Sequence, residues 1–233
     1  MAGTLEALDR AGVKHYGSAR TQKEADSTTM VDVKGVKVAM LAYTEMTNGV
    51  PLPKPWSVNL AKASEILADA RTARQRGARV VIVNMHWGAE YQHEPSTSQL
   101  ALAKTLARSP DVTAIVGQHV HVVQPIQRVG GKIVVFGEGN LLSNQTAACC
   151  PAASQDGILA LLDIVVEGDT AKVERVRYVP TYVRIRDYVV LPVGEALRSE
   201  SDDPAALRAS YERTVDVVGR GPGVQPVPAT LPR

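Results

Sequence analysis

A run of four β-branched residues, Val80-Val81-Ile82-Val83, places the strongest constraint on how this chain folds. A strand with no polar residue on either face must be covered on both faces, which is typical of a parallel sheet between two layers. Residues 59–76 and 96–108 flank this strand, and each stretch has apolar residues at helical spacing. The alternation of strands and helices predicts an α/β fold with parallel neighbouring strands.

The other predicted elements follow from apolar runs and turn signals. After Gly157, two runs separated by Gly168-Asp169 predict a β-hairpin. The stretch 221–233 contains four prolines and predicts a loosely held tail. Further strands are expected over residues 36–43, 112–116, 133–136, 158–167, 172–179 and 182–190, and a helix over 204–218.

Charge and hydropathy exclude several classes of protein. A net charge of +2, from 26 Lys and Arg residues against 24 Asp and Glu residues, gives no electrostatic footprint for nucleic acid. No window approaches the ~18 uninterrupted apolar residues of a transmembrane helix. Residues 1–10 lack the apolar core of a signal peptide. Cys149 and Cys150 are adjacent, and a disulfide between neighbouring residues is strained. Either both are unpaired loop thiols, or one of them pairs with a cysteine outside this chain.

Three of the five histidines follow predicted parallel strands. His86 comes directly after the strand that contains the β-branched run, and His119 and His121 follow the next strand. A right-handed crossover through the helix at 96–108 makes these strands parallel, so their carboxyl ends share one edge of the sheet. If the segment 119–121 is extended, alternation also directs His119 and His121 to the same side. Because imidazole is a common ligand of zinc, iron and manganese, these residues are metal-site candidates, whereas His15 and His93 are expected at the surface.

Three ordered motifs add a family resemblance. They are His-Trp-Gly-x-Glu-Tyr at 86–91, Gly-x-His-x-His-Val-x-Gln-Pro at 117–125 and Phe-Gly-x-Gly-Asn at 136–140. Together they resemble the CapA family of capsule and poly-γ-glutamate synthesis proteins, which belongs to the calcineurin-like metallophosphatase superfamily. The resemblance extends over about residues 4–185, and it implies a layered α/β sandwich of the metallophosphatase type with a C-terminal β-hairpin region.

The resemblance also implies roles for particular residues. His86, His119 and His121 match the ligands of divalent metal ions (Mn, Zn or Fe). Glu90 matches an acidic residue that acts with His86 in catalysis, either as general acid/base or as the partner that fixes the His86 tautomer. Asn140 is expected to shape the pocket. Trp87 is expected to wall the pocket as a structural residue.

The chain departs from the family pattern before residue 86. The Asp-bearing strand, the Asn/Glu loop and the Asn-Asn-His motif of the family are not found, so the expectation is an N-terminally shortened member that lacks the first strands of the sheet. A two-metal centre needs carboxylates or a bridging ligand, and Glu90 or Glu138 could supply one. A CapA-like domain is expected over residues 1–193, followed by a C-terminal helix and proline-rich tail over 194–233.

The function implied by the resemblance is capsule or poly-γ-glutamate biosynthesis or processing at the cell envelope. If the full site is present, the chain is expected to be a metal-dependent hydrolase acting on an anionic polymer, a phosphoester or a peptide, with other capsule-synthesis subunits as partners. Two alternatives stay open: a non-catalytic scaffold that binds the polymer, and a metal-dependent peptide epimerase.

Overall fold

The computed structural model describes residues 1–146, 148–199 and 203–231, and these form an α/β fold with two sheets. The predicted fold class is therefore confirmed. The strands are β1 (Thr29–Val33), β2 (Val36–Thr44), β3 (Val80–His86), β4 (Ala114–Gln118), β5 (Ile126–Val129), β6 (Lys132–Val135), β7 (Asp156–Glu167), β8 (Thr170–Arg184), β9 (Val189–Pro192) and β10 (Val224–Pro226). The helices are α1 (Ala2–Arg10), α2 (Gln22–Ala25), α3 (Ala63–Gln75), α4 (Thr97–Ala107), α5 (Val193–Ala196) and α6 (Pro204–Val218), with a 3₁₀ turn at Ala152–Gln155.

The first sheet has the strand order β1-β2-β3-β4-β6-β5. Strands β2, β3, β4 and β6 are parallel, and the edge strands β1 and β5 pair in antiparallel fashion. In β3, Val80 and Ile82 pack on one side of the sheet and Val81 and Val83 on the other. Both faces of this strand are covered, which is what its uninterrupted apolar sequence predicts.

Helices α3 and α4 lie near their predicted positions. Helix α3 begins at Ala63 rather than at residue 59, because the preceding residues extend alongside β2, where the Ala61 amide donates to the Thr44 carbonyl. It ends before Gly77, whose φ of 93° interrupts the helix. Helix α4 begins after Ser96, whose hydroxyl accepts from the Gln99 amide in a capping box. Since α4 connects β3 to β4 and these strands are parallel, the parallel arrangement predicted for the histidine-bearing strands is confirmed.

The second sheet contains the predicted hairpin, formed by β7 and β8. The single strand predicted over 182–190 is wrong, because β8 ends at Arg184 and β9 begins at Val189 as its antiparallel neighbour. Tyr188, with a φ of 54°, lies in the reverse turn between them. The two sheets pack together through an apolar cluster with members from β3, β4, β6, β7, β8, α5 and α6.

The loosely held tail predicted over 221–233 is also wrong for the residues that the structure describes. Strand β10 pairs in parallel with β8 at the edge of the second sheet, where proline is tolerated because no further strand needs its missing N–H. The Val227 amide donates to the Tyr178 carbonyl at 2.7 Å, and the Tyr211 hydroxyl donates to the Pro228 carbonyl at 2.6 Å. Residues 232–233 of the predicted tail lie outside the described residues.

Helix α6 coincides with the helix predicted over 204–218, and it packs against β8. Residues on both sides of position 193 share one apolar cluster, and the domain boundary at 193/194 stays a prediction. None of the helices in the described ranges is long and apolar enough to cross a membrane.

Candidate metal centre

The three histidines singled out from the sequence lie at the carboxyl edge of the first sheet. His86 is the last residue of β3, and His119 follows directly after β4. The ring centroids of His86 and His119 are 4.2 Å apart, and those of His119 and His121 are 6.2 Å apart. Side chains from two strand ends are thus brought together, and their role as metal ligands stays a prediction.

The backbone of 119–121 differs from the extended form that the alternation argument assumes. His119 has a φ of 100° and His121 a φ of 61°, so both occupy the left-handed region, which few non-glycine residues adopt. The turn is held by the buried Val120, whose carbonyl accepts from the Tyr91 amide at 2.7 Å. The rings of His119 and His121 therefore approach each other through a strained turn, a conformation that often occurs at functional sites.

Neutral polar groups hold two of the three rings. The Nδ1 atom of His86 lies 2.8 Å from the Thr44 hydroxyl, and the Nδ1 atom of His121 lies 2.9 Å from the Asn140 side-chain carbonyl. The Tyr91 ring stacks on His121 at a centroid distance of 6.0 Å. Burial, assisted by the nearby His119 and His121, lowers the pKa of His86. The lowered pKa favours the neutral form of His86, which is the form that binds a metal ion.

Asn140 lies beneath the turn at 119–121 and is buried. Its side-chain amide donates to the Ser154 carbonyl at 2.8 Å, which orients its oxygen towards the His121 ring. The pocket-shaping role expected for Asn140 agrees with this position and stays a prediction.

Trp87 is fully buried in the apolar layer between the first sheet and helices α3 and α4. Its indole N–H donates to the Phe136 carbonyl at 2.9 Å, and its ring stacks on that of Phe136 at 5.9 Å. This buried position agrees with the structural role expected for Trp87, and its place in the wall of the pocket stays a prediction.

Glu90 is exposed, and in the described parts of the chain no hydrogen bond joins its carboxylate to His86. The partner of the His86 ring is Thr44 instead. A catalytic role for Glu90 stays a prediction without a contact to support it.

Two other carboxylates lie closer to the strand ends. Glu45 follows β2 and accepts from the Gly88 amide at 3.1 Å. Glu138 is half-buried and accepts from the Gln118 side chain at 3.3 Å, and burial raises its pKa. The carboxyl end of the parallel strand β2 also lies at this edge, which adds Thr44, the last residue of β2, and Glu45, which follows it, to the candidates.

The donor chemistry of the site suits one divalent ion better than two. Two imidazoles bound to one tetrahedral ion have ring centroids about 5 Å apart, given metal–nitrogen distances of about 2.0–2.1 Å, and the observed spacings bracket this value. Within residues 1–146, 148–199 and 203–231, however, no three His, Cys, Asp or Glu side chains are arranged as a set that could hold a metal ion. The residues thus fit a single ion in donor type, and they fall short of a complete ligand set.

Cys149 and Cys150 form a disulfide with each other, so both alternatives expected from the sequence, two unpaired thiols or one cysteine paired outside this chain, are wrong. The amides of both residues bond to the Thr146 carbonyl, at 3.0 and 2.9 Å, in a tight turn that brings the two sulfur atoms together. The Tyr91 hydroxyl lies 3.7 Å from the Cys150 sulfur.

Comparison with known proteins identifies relatives over much of the chain. The capsule biosynthesis protein CapA of Bacillus anthracis is 29% identical over 173 residues, which cover 70% of this chain and 42% of that protein. The PGA biosynthesis protein CapA of Bacillus subtilis is 31% identical over 114 residues, which cover 48% of this chain and 30% of that protein. The chain therefore spans less than half the length of these two relatives. Among solved structures, a calcineurin-like phosphoesterase from Bacillus subtilis matches with 16% identity and a TM-score of 0.41, over 79% of this chain and 58% of that one.

The family model described as bacterial capsule synthesis protein PGA_cap matches residues 1–145, which is more than half of the chain. This stretch contains all three motifs on which the predicted resemblance depends. The chain belongs to the PGA_cap family of bacterial capsule synthesis proteins.

Proposed function

We propose that this chain acts in the synthesis or processing of capsular poly-γ-glutamate at the bacterial cell envelope, as a metal-dependent hydrolase. Its family membership supports the capsule context. The observation that carries the chemical part is the approach of the His86 and His119 rings to 4.2 Å at the carboxyl edge of a parallel sheet. That edge is the usual ligand-binding position in open α/β sheets.

His86, His119 and His121 are the proposed ligands of the metal. Thr44 and Asn140 contact the Nδ1 atoms of His86 and His121, and this leaves the Nε2 atom of each ring to face the site. A divalent ion held there would supply Lewis-acid polarisation of a phosphoryl or acyl oxygen. Manganese, zinc and iron all accept such imidazole nitrogen ligands.

The proton-transfer role in this proposal falls to Glu138 rather than to Glu90. His86 and Gln118 are opposite each other on β3 and β4, and Gln118 in turn donates to Glu138. Because its pKa is raised, the Glu138 carboxyl group keeps its proton at a pH closer to neutral, as a general acid must. The substrate class is an anionic polymer, a phosphoester or a peptide, and other capsule-synthesis subunits are the expected partners.

Hydrolysis assays with matched variants test this function. The purified chain is incubated with manganese and either bis(p-nitrophenyl) phosphate or poly-γ-glutamate, beside His86→Gln and His119→Gln variants. His15→Gln is the control, because the His15 ring contacts the carboxylates of Asp9 and Glu24. Metal-dependent turnover that both site variants lose and the control keeps is the expected result. Turnover that persists unchanged in both site variants would refute the proposed site.

A second function, a non-catalytic subunit that binds the capsule polymer, is favoured by one observation. The described residues contain no set of three side chains that could hold a metal ion. Polymer binding in a pull-down or titration, with no turnover at any metal concentration, would support this alternative. Incorporation of deuterium from heavy water at peptide α-carbons would instead indicate epimerisation. Glu90, a candidate base for that reaction, is exposed, and in the described parts of the chain no hydrogen bond to His86 supports the role.

A further inference from the structure

We propose that Thr44 is a positioning residue that holds His86 in the Nδ1–H tautomer and so leaves Nε2 as the metal-binding atom. The inference rests on the proposed function, because it concerns how one proposed ligand is prepared. Nothing in the sequence motifs points to Thr44, which lies 42 residues before His86.

The hydrogen bonds of the Thr44 hydroxyl decide the direction of its bond to the ring. A hydroxyl has one proton to donate and two lone pairs that accept. The Thr44 hydroxyl lies 2.6 Å from the Met46 carbonyl oxygen, which can only accept, so its proton is used there. The remaining lone pairs face the Met46 amide at 3.3 Å and the Nδ1 atom of His86 at 2.8 Å. The His86 ring must therefore donate through Nδ1.

The backbone around Thr44 fixes the position of this hydroxyl. Thr44 is the last residue of β2 and is opposite His86 in the parallel register of β2 and β3. Its amide donates to the Asn59 carbonyl at 3.0 Å, and its carbonyl accepts from the Ala61 amide at 2.9 Å. The amide of the next residue, Glu45, donates to the His86 carbonyl at 2.9 Å. A β-branched side chain on so constrained a backbone has few rotamers, so the acceptor is already in place before a metal arrives.

Tautomer control matters because a neutral imidazole has one N–H and one lone pair. When Nδ1 is the donor, the lone pair is on Nε2 and is available to a cation. Removal of a residue that hydrogen-bonds to a metal-bound histidine typically lowers metal affinity or activity about 10–100-fold. The family resemblance offers Glu90 as one candidate for this role, and that stays a prediction. The group within hydrogen-bond distance of the His86 Nδ1 atom is the neutral Thr44 hydroxyl on the neighbouring strand.

The test uses Thr44→Val, which keeps the β-branched shape and removes the hydroxyl, and Thr44→Ser, which keeps the hydroxyl. Thr47→Val is the matched control, because the Thr47 hydroxyl bonds to the Val50 carbonyl and not to an imidazole. The tautomer of His86 is read in the metal-free proteins by two-bond ¹H–¹⁵N NMR, with His86→Gln used to assign the resonance. Zinc and manganese affinities are measured by calorimetry.

The expected result is an Nδ1–H tautomer in the wild type, Thr44→Ser and Thr47→Val, and a mixed or Nε2–H state in Thr44→Val. Metal affinity should fall about 10–100-fold in Thr44→Val alone. An Nε2–H tautomer in the wild type, or an unchanged tautomer in Thr44→Val, would overturn the inference. If the tautomer changes as expected and even the wild type binds no metal, the positioning by Thr44 is supported and the proposed metal-dependent function fails. The wild-type spectrum is decisive on its own should Thr44→Val not fold.

Discussion

Replacing Trp87 by phenylalanine should destabilise this protein without weakening metal binding. The indole is fully buried, its N–H donates to the Phe136 carbonyl at 2.9 Å, and its ring stacks on Phe136. Phenylalanine keeps an aromatic ring in this position but removes the donor and part of the volume. The ring contact and the hydrogen bond are both with Phe136, so we expect the imidazoles to keep their arrangement.

The size of the effect follows from two losses. The smaller ring leaves a cavity of about 40 Å³, which costs about 1 kcal/mol at about 24 cal/mol per Å³. The Phe136 carbonyl loses its donor in a buried position, which costs about 1–3 kcal/mol. The free energy of unfolding of Trp87→Phe should therefore fall by about 2–4 kcal/mol.

Urea denaturation followed by circular dichroism measures this change, and calorimetry with zinc measures metal affinity. The other tryptophan of the chain, Trp56, is only half-buried, so Trp56→Phe is a matched control with an expected loss below about 1 kcal/mol. A Trp87→Phe variant as stable as the wild type would refute the packing argument. Normal stability with strongly reduced zinc affinity would show that the ring contacts the bound ion's surroundings or the substrate.

Three further substitutions test the structure around the site. Arg213→Ala removes the two hydrogen bonds, at 2.9 and 3.0 Å, that pair Arg213 with the buried Asp156, so stability should fall by about 1–3 kcal/mol. Burial raises the pKa of Asp156, and Arg213 opposes this rise by stabilising the carboxylate. Urea titrations of Arg213→Ala should therefore show a larger loss of stability near neutral pH than at about pH 4, where the carboxyl group is closer to neutral. Gly117→Ala should prevent folding, as judged by circular dichroism, because a Cβ atom there would lie within van der Waals overlap of the Phe136 carbonyl oxygen. Because the pKa of His86 is lowered in the folded protein, the unfolded chain binds a proton at this residue more readily than the folded chain does. Stability should therefore be lost as the pH falls below about 6.5, and denaturation curves of His86→Gln should show a smaller loss.

Much of the fold follows from local sequence signals. The apolar run at 80–83 predicts a strand covered on both faces, and Ser96 and Gln99 define the start of helix α4. The tail was harder to predict because its pairing with β8 is a tertiary interaction, and four prolines give no local sign of a strand. The start of α3 differs from the prediction for a similar reason, since contacts with β2 keep the preceding residues extended.

The candidate site was only partly predictable. The rule that parallel strands end at one edge correctly brings His86 and His119 together, because it depends only on topology. The left-handed turn at His119 and His121 was not predictable, since local propensity disfavours it and the surrounding packing imposes it. Thr44 was missed because its role depends on the register between β2 and β3, which a single sequence does not reveal.

Metal analysis of the purified chain tests the central claim most directly. The chain is equilibrated with zinc or manganese, dialysed, and measured by elemental mass spectrometry beside a His86→Gln/His119→Gln double variant and the His15→Gln control. Because imidazoles without carboxylates do not offset the charge of two close dications, we expect weak binding of at most one ion, which the double variant loses and the control retains. Two tightly held ions per chain, or metal retained by the double variant, would contradict this account of the site.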